Sequence, residues 1–295
     1  MTATILVTGA SGKLGKLVVD QLLAHKAALE TIAVMVRSQE KGQQFVNSGV
    51  DVRVGDFNDV DSLQKAVQGI KRALLISSNN VGHRFAEHKN FIDVLKKSDT
   101  SIELLAYTSI LRADTSPMQL AQDHKQTEEY ITKSGLAHSY LRNGWYIENM
   151  VEQIGNWDQH GSIIGASKDG RTSAASRKDY AEAAAIVLLS SDVKSLKPYY
   201  ELGGHPGYTL DELAASASKV LNKPIKAVHL SEHDYKEILL SFGLPEALST
   251  VIADADTQAA NGALEDDTND LEKLLGRPSE TIEDVMRAVL QSQKA

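Results

Sequence analysis

The chain has 295 residues, a formal net charge of −8 and 42% hydrophobic residues, enough for one large or two ordinary domains with a sizeable core. It has no cysteine, which excludes disulfides, thiolate metal ligands and a cysteine nucleophile and suits a reducing compartment. The acidic balance argues against a nucleic-acid surface, no apolar run reaches the ~18 residues of a membrane span, and the chain opens on a strand pattern rather than a basic–apolar leader, so a cytoplasmic protein is expected.

Ile5–Val7 reads as the first strand and Lys13–His25 as the first helix, with Leu14, Leu17, Val18 and Leu22 at helical spacing. Between them runs Gly9-Ala10-Ser11-Gly12-Lys13-Leu14-Gly15, with three glycines spaced GxxGxxG. A strand that delivers the chain to a tight turn and then a helix is how a dinucleotide diphosphate is held: free amides and the positive helix end face the anion. Gly9 would make the turn, Gly12 the close approach and Gly15 the tight helix–strand contact; the competing reading is a loop that merely turns.

Ile32–Val36 is a continuous apolar strand, as in a parallel sheet covered on both faces. At its end an acidic residue would accept from a ribose 2′-OH. This chain has Arg37, which can pair with a 2′-phosphate in bidentate fashion. NADP(H) is therefore preferred over NAD(H); the alternative is a solvated arginine paired with Glu40. Lys41–Asn47 reads as a short helix, and Val50–Val54 as a third strand leading to Asp56 and Phe57. Asp56 could accept from an adenine amino group, or share the N-cap of the next helix, Ser62–Gly69, with Asn58. A fourth strand, Ala73–Ile76, ends in Ser77, Ser78 and Asn79, small polar residues that could line a ribose or cap the helix Gly82–Lys97.

Ile102–Thr108 is the fifth strand, and Tyr107 near its end is a candidate for both coenzyme and substrate contact. A helix near Leu120–Lys133 carries His124, the best candidate for a titrating catalytic group, or else a structural histidine. His138–Leu141 is a sixth strand, followed by Arg142-Asn143-Gly144-Trp145-Tyr146. Trp145 and Tyr146 could form a flat slot for a planar acceptor or simply pack in a core. Strands alternating with helices make an α/β fold, a Rossmann-like doubly wound parallel sheet with its ligand beyond the strand C-termini.

Beyond Asn149 the alternation loosens. Gly161–Ala166 reads as a short hairpin or loop, Ser176 as the cap of a helix Tyr180–Leu189, Tyr199–Leu202 and Ala227–Leu230 as strands, and Thr209 with Glu212 as a capping box. Pro245 to Ala295 reads helical. The expected division is a coenzyme domain at 1–150 with roughly 175–195, and a smaller α+β substrate or lid domain at 151–174 and 196–295.

No tyrosine has a lysine four residues later, so the usual short-chain dehydrogenase acid is missing. Reduction of an isolated carbonyl needs such an acid, whereas a quinone needs it less, because the product anion is delocalised. No metal-ligand spacing is found, and His229 and His233 cross a strand–helix boundary.

The runs Thr8-Gly-Ala-Ser-Gly-Lys-Leu-Gly15, Ala106-Tyr-Thr-Ser109, Ala113-Asp-Thr-Ser-Pro117, Leu141-Arg-Asn-Gly-Trp-Tyr-Ile-Glu-Asn149 and Ser241-Phe-Gly-Leu-Pro245 together resemble the NmrA-like atypical short-chain dehydrogenases, in particular the bacterial NAD(P)H:quinone oxidoreductase 2 type and triphenylmethane reductase. The resemblance implies an NADPH-binding Rossmann domain, a smaller domain closing a substrate cleft, and flavin-free two-electron reduction of a quinone or another conjugated acceptor. It implies Gly9 to Gly15 at the diphosphate, Arg37 at the 2′-phosphate, Ser77 and Ser78 at the ribose, and Asn143 to Tyr146 around the nicotinamide. His124 stands where plant isoflavone-reductase relatives keep a lysine, so that lysine's role does not carry over. Some members of the family act instead as NADP(H)-binding sensors through a protein partner. A homodimer is compatible with the resemblance.

Overall fold

The computed structural model describes residues 3–25, 27–46 and 48–293; Asn47, the expected end of the second helix, and the last two residues of the expected helical tail lie outside them. In chain order the first half comprises β1 (Ile5–Val7), α1 (Lys13–Ala24), β2 (Ile32–Val36), α2 (Gln39–Val46), β3 (Asp51–Val54), α3 (Val60–Ala66), β4 (Arg72–Leu75), α4 (Arg84–Lys96), β5 (Leu104–Ile110), α5 (Gln119–Ser134) and β6 (His138–Asn143). There follow α6 (Ile147–Val151), α7 (Ile154–His160), β7 (Ser162–Gly165), α8 (Arg177–Leu189), β8 (Tyr199–Leu202), α9 (Leu210–Leu221), β9 (Lys226–His229), α10 (Glu232–Ser241), α11 (Glu246–Ala259), α12 (Asp270–Leu275) and α13 (Ile282–Gln293). None of the described helices is long and apolar enough to cross a membrane.

Seven of the described strands form one sheet in the order β3-β2-β1-β4-β5-β6-β8. The first five pair in parallel, with Ile5 opposite both Ile32 and Arg72, Val36 opposite Val54, and Leu75 opposite Tyr107. The chain winds outward from β1 through β2 to β3, then returns to β4 on the other side of β1. The strand order therefore reverses at β1/β4, the place where an open α/β sheet leaves a crevice beyond its strand C-termini. β1, β2 and β5 are buried along their whole length, which is why β1 and β2 run apolar without alternation.

The chain divides into two compact units. The first comprises Met1–Ile110, Asp123–Arg142 and Tyr180–Tyr200. A core of Leu6, Leu63, Phe91, Ile92, Leu105 and Tyr107 fills the space between the sheet and its helices. The second comprises Leu111–Gln122, Asn143–Asp179 and Glu201–Ala295. Its core gathers Ile147, Trp157, Ile163, Leu213 and Met286.

Within this second unit, the hairpin or loop expected at Gly161–Ala166 is corrected. Gly161 ends α7 in the left-handed conformation (φ +66°), and the residues after it form β7, which pairs in parallel with β9, Ser162 opposite Lys226. The partner strand is too distant in sequence for a local pattern to reveal. Local capping is visible in the sequence: the Thr209 hydroxyl accepts from the Glu212 amide while the Glu212 carboxylate accepts from the Thr209 amide. Ser176 Oγ likewise accepts from the Asp179 amide, although α8 begins at Arg177, three residues before the expected start.

Candidate active site

The C-terminal ends of β1 to β4 share one edge of the parallel sheet, and most of the candidate residues stand there. Thr8 leaves β1 with its amide on the Leu74 carbonyl at 3.0 Å. Gly9 then turns at φ +59°, a conformation that costs a side chain strain, and the Gly12 amide closes the turn on the Gly9 carbonyl at 2.9 Å. Gly9, Gly12 and Lys13 are exposed and Ser11 is half-buried, while Ala10 and Leu14 turn inward and leave only backbone at the surface. α1 begins with no side-chain cap at Gly12 and no acid in its first turn. A β-carbon at Gly15 would stand 2.7 Å from Cα of Ala10, closer than real side chains approach backbone.

Arg37, one residue past β2, is exposed, and among the described residues neither Glu40 nor any other carboxylate pairs with it. Past β3, the alternative role of Asp56 and Asn58 as cap of the following helix is not realised. The cap of α3 is Asp59, whose carboxylate accepts from the Asp61 and Ser62 amides. Asp56 instead accepts from the Asn58 amide at 2.8 Å. Phe57 is partly buried, edge-on to His88 and Phe91.

Past β4 three consecutive amides are each taken by a side chain from a different element. Ile76 donates to Thr8 Oγ1 at 3.0 Å, Ser77 to Thr108 Oγ1 at 2.8 Å, and Ser78 to His88 Nε2 at 2.9 Å. The alternative helix-capping role of Ser77 and Ser78 is not realised, because α4 starts after His83 without a side-chain cap. Ser78 Oγ accepts from Asn80 N, and Asn80 Nδ2 donates to Glu87. Asn79 is exposed.

Two candidates lie beneath this edge rather than on it. Tyr107, expected at coenzyme and substrate, is 0% exposed and lies in the core of the first unit. His124 is also buried. Arg84 Nη1, which can only donate, reaches His124 Nε2 at 2.7 Å, so that nitrogen accepts and Nδ1–H points to the Tyr107 oxygen at 2.8 Å. Burial first, and then the Arg84 charge, hold His124 well below the ordinary histidine range. The expected titrating acid is thus a neutral ring. Burial pushes the Tyr107 phenol upward, so it stays protonated.

In the second unit, Asn143 is buried and its side-chain carbonyl oxygen has no hydrogen-bond partner among the described residues. Such an orphan is rare in proteins and calls for a ligand. Trp145 is half-buried against the core of this unit, and Tyr146 is half-buried with the Arg177 guanidinium 5.3 Å from its ring centre.

The NmrA-like family model matches residues 1–284. The chain belongs to the NmrA-like family. Quinone oxidoreductase 2 of Escherichia coli (strain K12) is 41% identical to it over 278 residues, 94% of this chain and 96% of that protein. The crystal structure of the NADPH-dependent quinone oxidoreductase from Escherichia coli in complex with NADPH has a TM-score of 0.93 at 38% identity and covers 97% of this chain and 100% of that one. Citrobacter sp. triphenylmethane reductase complexed with NADP(H) has a TM-score of 0.90 at 31% identity, with 97% and 100% covered.

The residues of this NmrA-like chain fit a phosphorylated dinucleotide. In the first unit an uncapped helix start behind an exposed glycine turn suits the diphosphate, and Arg37 carries a charge with no partner among the described residues. The sequence reading overlooked the groups that hold this edge in place. Thr8, Thr108 and His88 secure the β4 exit. The Glu128 carboxylate accepts from Ser109 Oγ at 2.6 Å and from Arg142 Nη2 at 2.6 Å, anchoring the end of β6 that leads to Asn143. A threonine at a strand end is the single local signal for any of these.

Proposed function

We propose that the chain is an NADPH-dependent quinone oxidoreductase that reduces its acceptor by two electrons without flavin. The observation that carries this reading is the uncapped glycine turn at α1 with the exposed Arg37 on the adjacent strand, in a chain 41% identical to quinone oxidoreductase 2. The sensor alternative has less support, since quinone oxidoreductase 2 and triphenylmethane reductase, each more than 30% identical over nearly the whole chain, bear reductase names.

When bound, NADPH supplies a hydride from its nicotinamide ring. Gly9, Ala10, Ser11, Gly12, Lys13, Leu14 and Gly15 would hold the diphosphate through backbone amides and the positive end of α1. Arg37 would pair with the 2′-phosphate, Asp56 and Phe57 would border the adenine, and Ser77, Ser78 and Asn79 would meet the ribose. The unpartnered Asn143 oxygen suits the carboxamide N–H of the nicotinamide, and Trp145 and Tyr146 suit a flat acceptor. Neither His124 nor Tyr107 delivers a proton, since one is a neutral acceptor–donor bridge and the other a buried phenol. Solvent protonates the delocalised hydroquinone anion, which is why conjugated acceptors, and not isolated ketones, are the expected substrates. A cytoplasmic setting, a small-molecule partner and no nucleic acid belong to the same reading, as does a homodimer.

The test is direct. Purified protein with NADPH and a benzoquinone or naphthoquinone should consume the reduced coenzyme, faster than with NADH. Tight NADP⁺ binding without turnover on any quinone or triphenylmethane dye would overturn the enzyme reading.

A further inference from the structure

We propose that His88 is a positioning residue for the coenzyme: its bare Nε2 takes the Ser78 amide and fixes the loop that follows β4. This rests on the reading of that loop as part of the NADPH site. Beyond Leu75 the strand ladder ends, and three successive amides would have to turn to solvent. They are met instead by Thr8 from β1, Thr108 from β5 and His88 from α4. Two of these pegs continue the sheet edge. The third comes from a helix, and decides the direction in which Ser78 leaves the sheet.

The imidazole is built for that single job. It is 0% exposed, edge-on to Phe57 on one side and to Tyr107 on the other. Its Nδ1 lies 3.0 Å from Thr127 Oγ1, and that hydroxyl spends its one proton on the Asp123 carbonyl at 2.8 Å. Thr127 can therefore only accept from the ring, so the proton sits on Nδ1 and Nε2 is left with a lone pair for Ser78. Burial and the nearby Arg84 push the pKa down to about 3, which keeps the acceptor available at neutral pH. Asp123 of α5 also accepts the Gly82 amide at 2.8 Å, so the far end of the loop is held from the helix whose Thr127 orients the His88 ring. A loop fixed before the ligand arrives spares the complex the cost of ordering it.

The experiment compares His88→Leu, which removes the acceptor, with His88→Gln, whose side-chain oxygen can restore it. NADPH and quinone KM, kcat and urea midpoints are measured for each. Freeing one amide should raise the NADPH KM about tenfold in H88L, leave the quinone KM unchanged, and be largely reversed in H88Q. Nitrogen NMR of the wild-type ring should show the proton on Nδ1. An unchanged NADPH KM in H88L, equal losses in H88L and H88Q, or a proton on Nε2 would overturn the proposal. Should H88L not fold, Thr127→Val carries the test, because it removes the group that orients the ring: a raised NADPH KM supports the role and an unchanged one overturns it. A wild-type protein that binds no NADPH would instead overturn the reading of the site, a result separable from any of these.

Discussion

Gly15 faces Ala10 across the start of the first helix so closely that a β-carbon at position 15 would stand 2.7 Å from the Ala10 Cα. Gly9 and Gly15 thus do different work: one supplies a left-handed turn, the other lets α1 sit against the strand it follows. Gly15→Ala should force the loop away from the helix at a cost of about 1–3 kcal/mol, the usual range for overpacking. Urea unfolding should show that loss together with weakened NADPH binding. A variant of wild-type stability and affinity would show that the contact is slack.

Arg37 bears on the choice of coenzyme. A guanidinium–phosphate contact is worth about 1.5–3 kcal/mol, so Arg37→Ala should raise the NADPH KM roughly tenfold or more and leave the NADH KM nearly unchanged. Steady-state kinetics with both coenzymes measure this. Equal effects on the two would place the 2′-phosphate elsewhere.

Asn143 has a buried oxygen with no hydrogen-bond partner among the described residues. Replacing a side chain bound on all sides should unfold a protein, but Asn143→Ala gives up no hydrogen bond from that oxygen. The expected outcome is a urea midpoint close to wild type with a loss of NADPH affinity or turnover of about tenfold, the worth of one hydrogen bond between coenzyme and a desolvated acceptor. A large stability loss with normal kinetics would assign the residue to packing instead.

The buried histidines set the acid limit. Above pH 6.5 position 88 is neutral in both folded and unfolded chains. As pH falls, the unfolded chain takes up a proton that the folded one refuses until about pH 3. Stability is therefore full above pH 6.5 and is lost toward pH 3, at about 1.4 kcal/mol per pH unit for one such group. His124, also held low, acts in the same direction. Urea midpoints across this range should fall with acid, and His88→Gln should fall less steeply. His124→Ala should lower stability while leaving the pH profile of kcat without a missing limb near neutrality. A profile that loses such a limb would restore His124 as a proton donor.

Much of this molecule is legible in residues close together in the chain. The strand, glycine turn and helix at Ile5–Ala24 are separated by a few residues, and their chemistry is written in φ-tolerant glycines and helical spacing. Arg37 could be read because a strand's end names the place of the residue after it. The burial of His124 and Tyr107 could not be read, for the opposite reason. Their burial depends on what α5 and α4 lay over β5, and a sequence window cannot see whether a polar ring faces water or Arg84.

By itself, then, the sequence determined the alternation of strands and helices, the glycine turn ahead of the first helix and the preference for a phosphorylated coenzyme, because each depends on neighbours within one or two elements. Tertiary structure alone decided that β7 pairs with β9, that Thr8, Thr108 and His88 converge on three consecutive amides, and that His124 is neutral. Those are meetings between distant segments, and hydrogen bonds and desolvation act only once packing has brought the partners together.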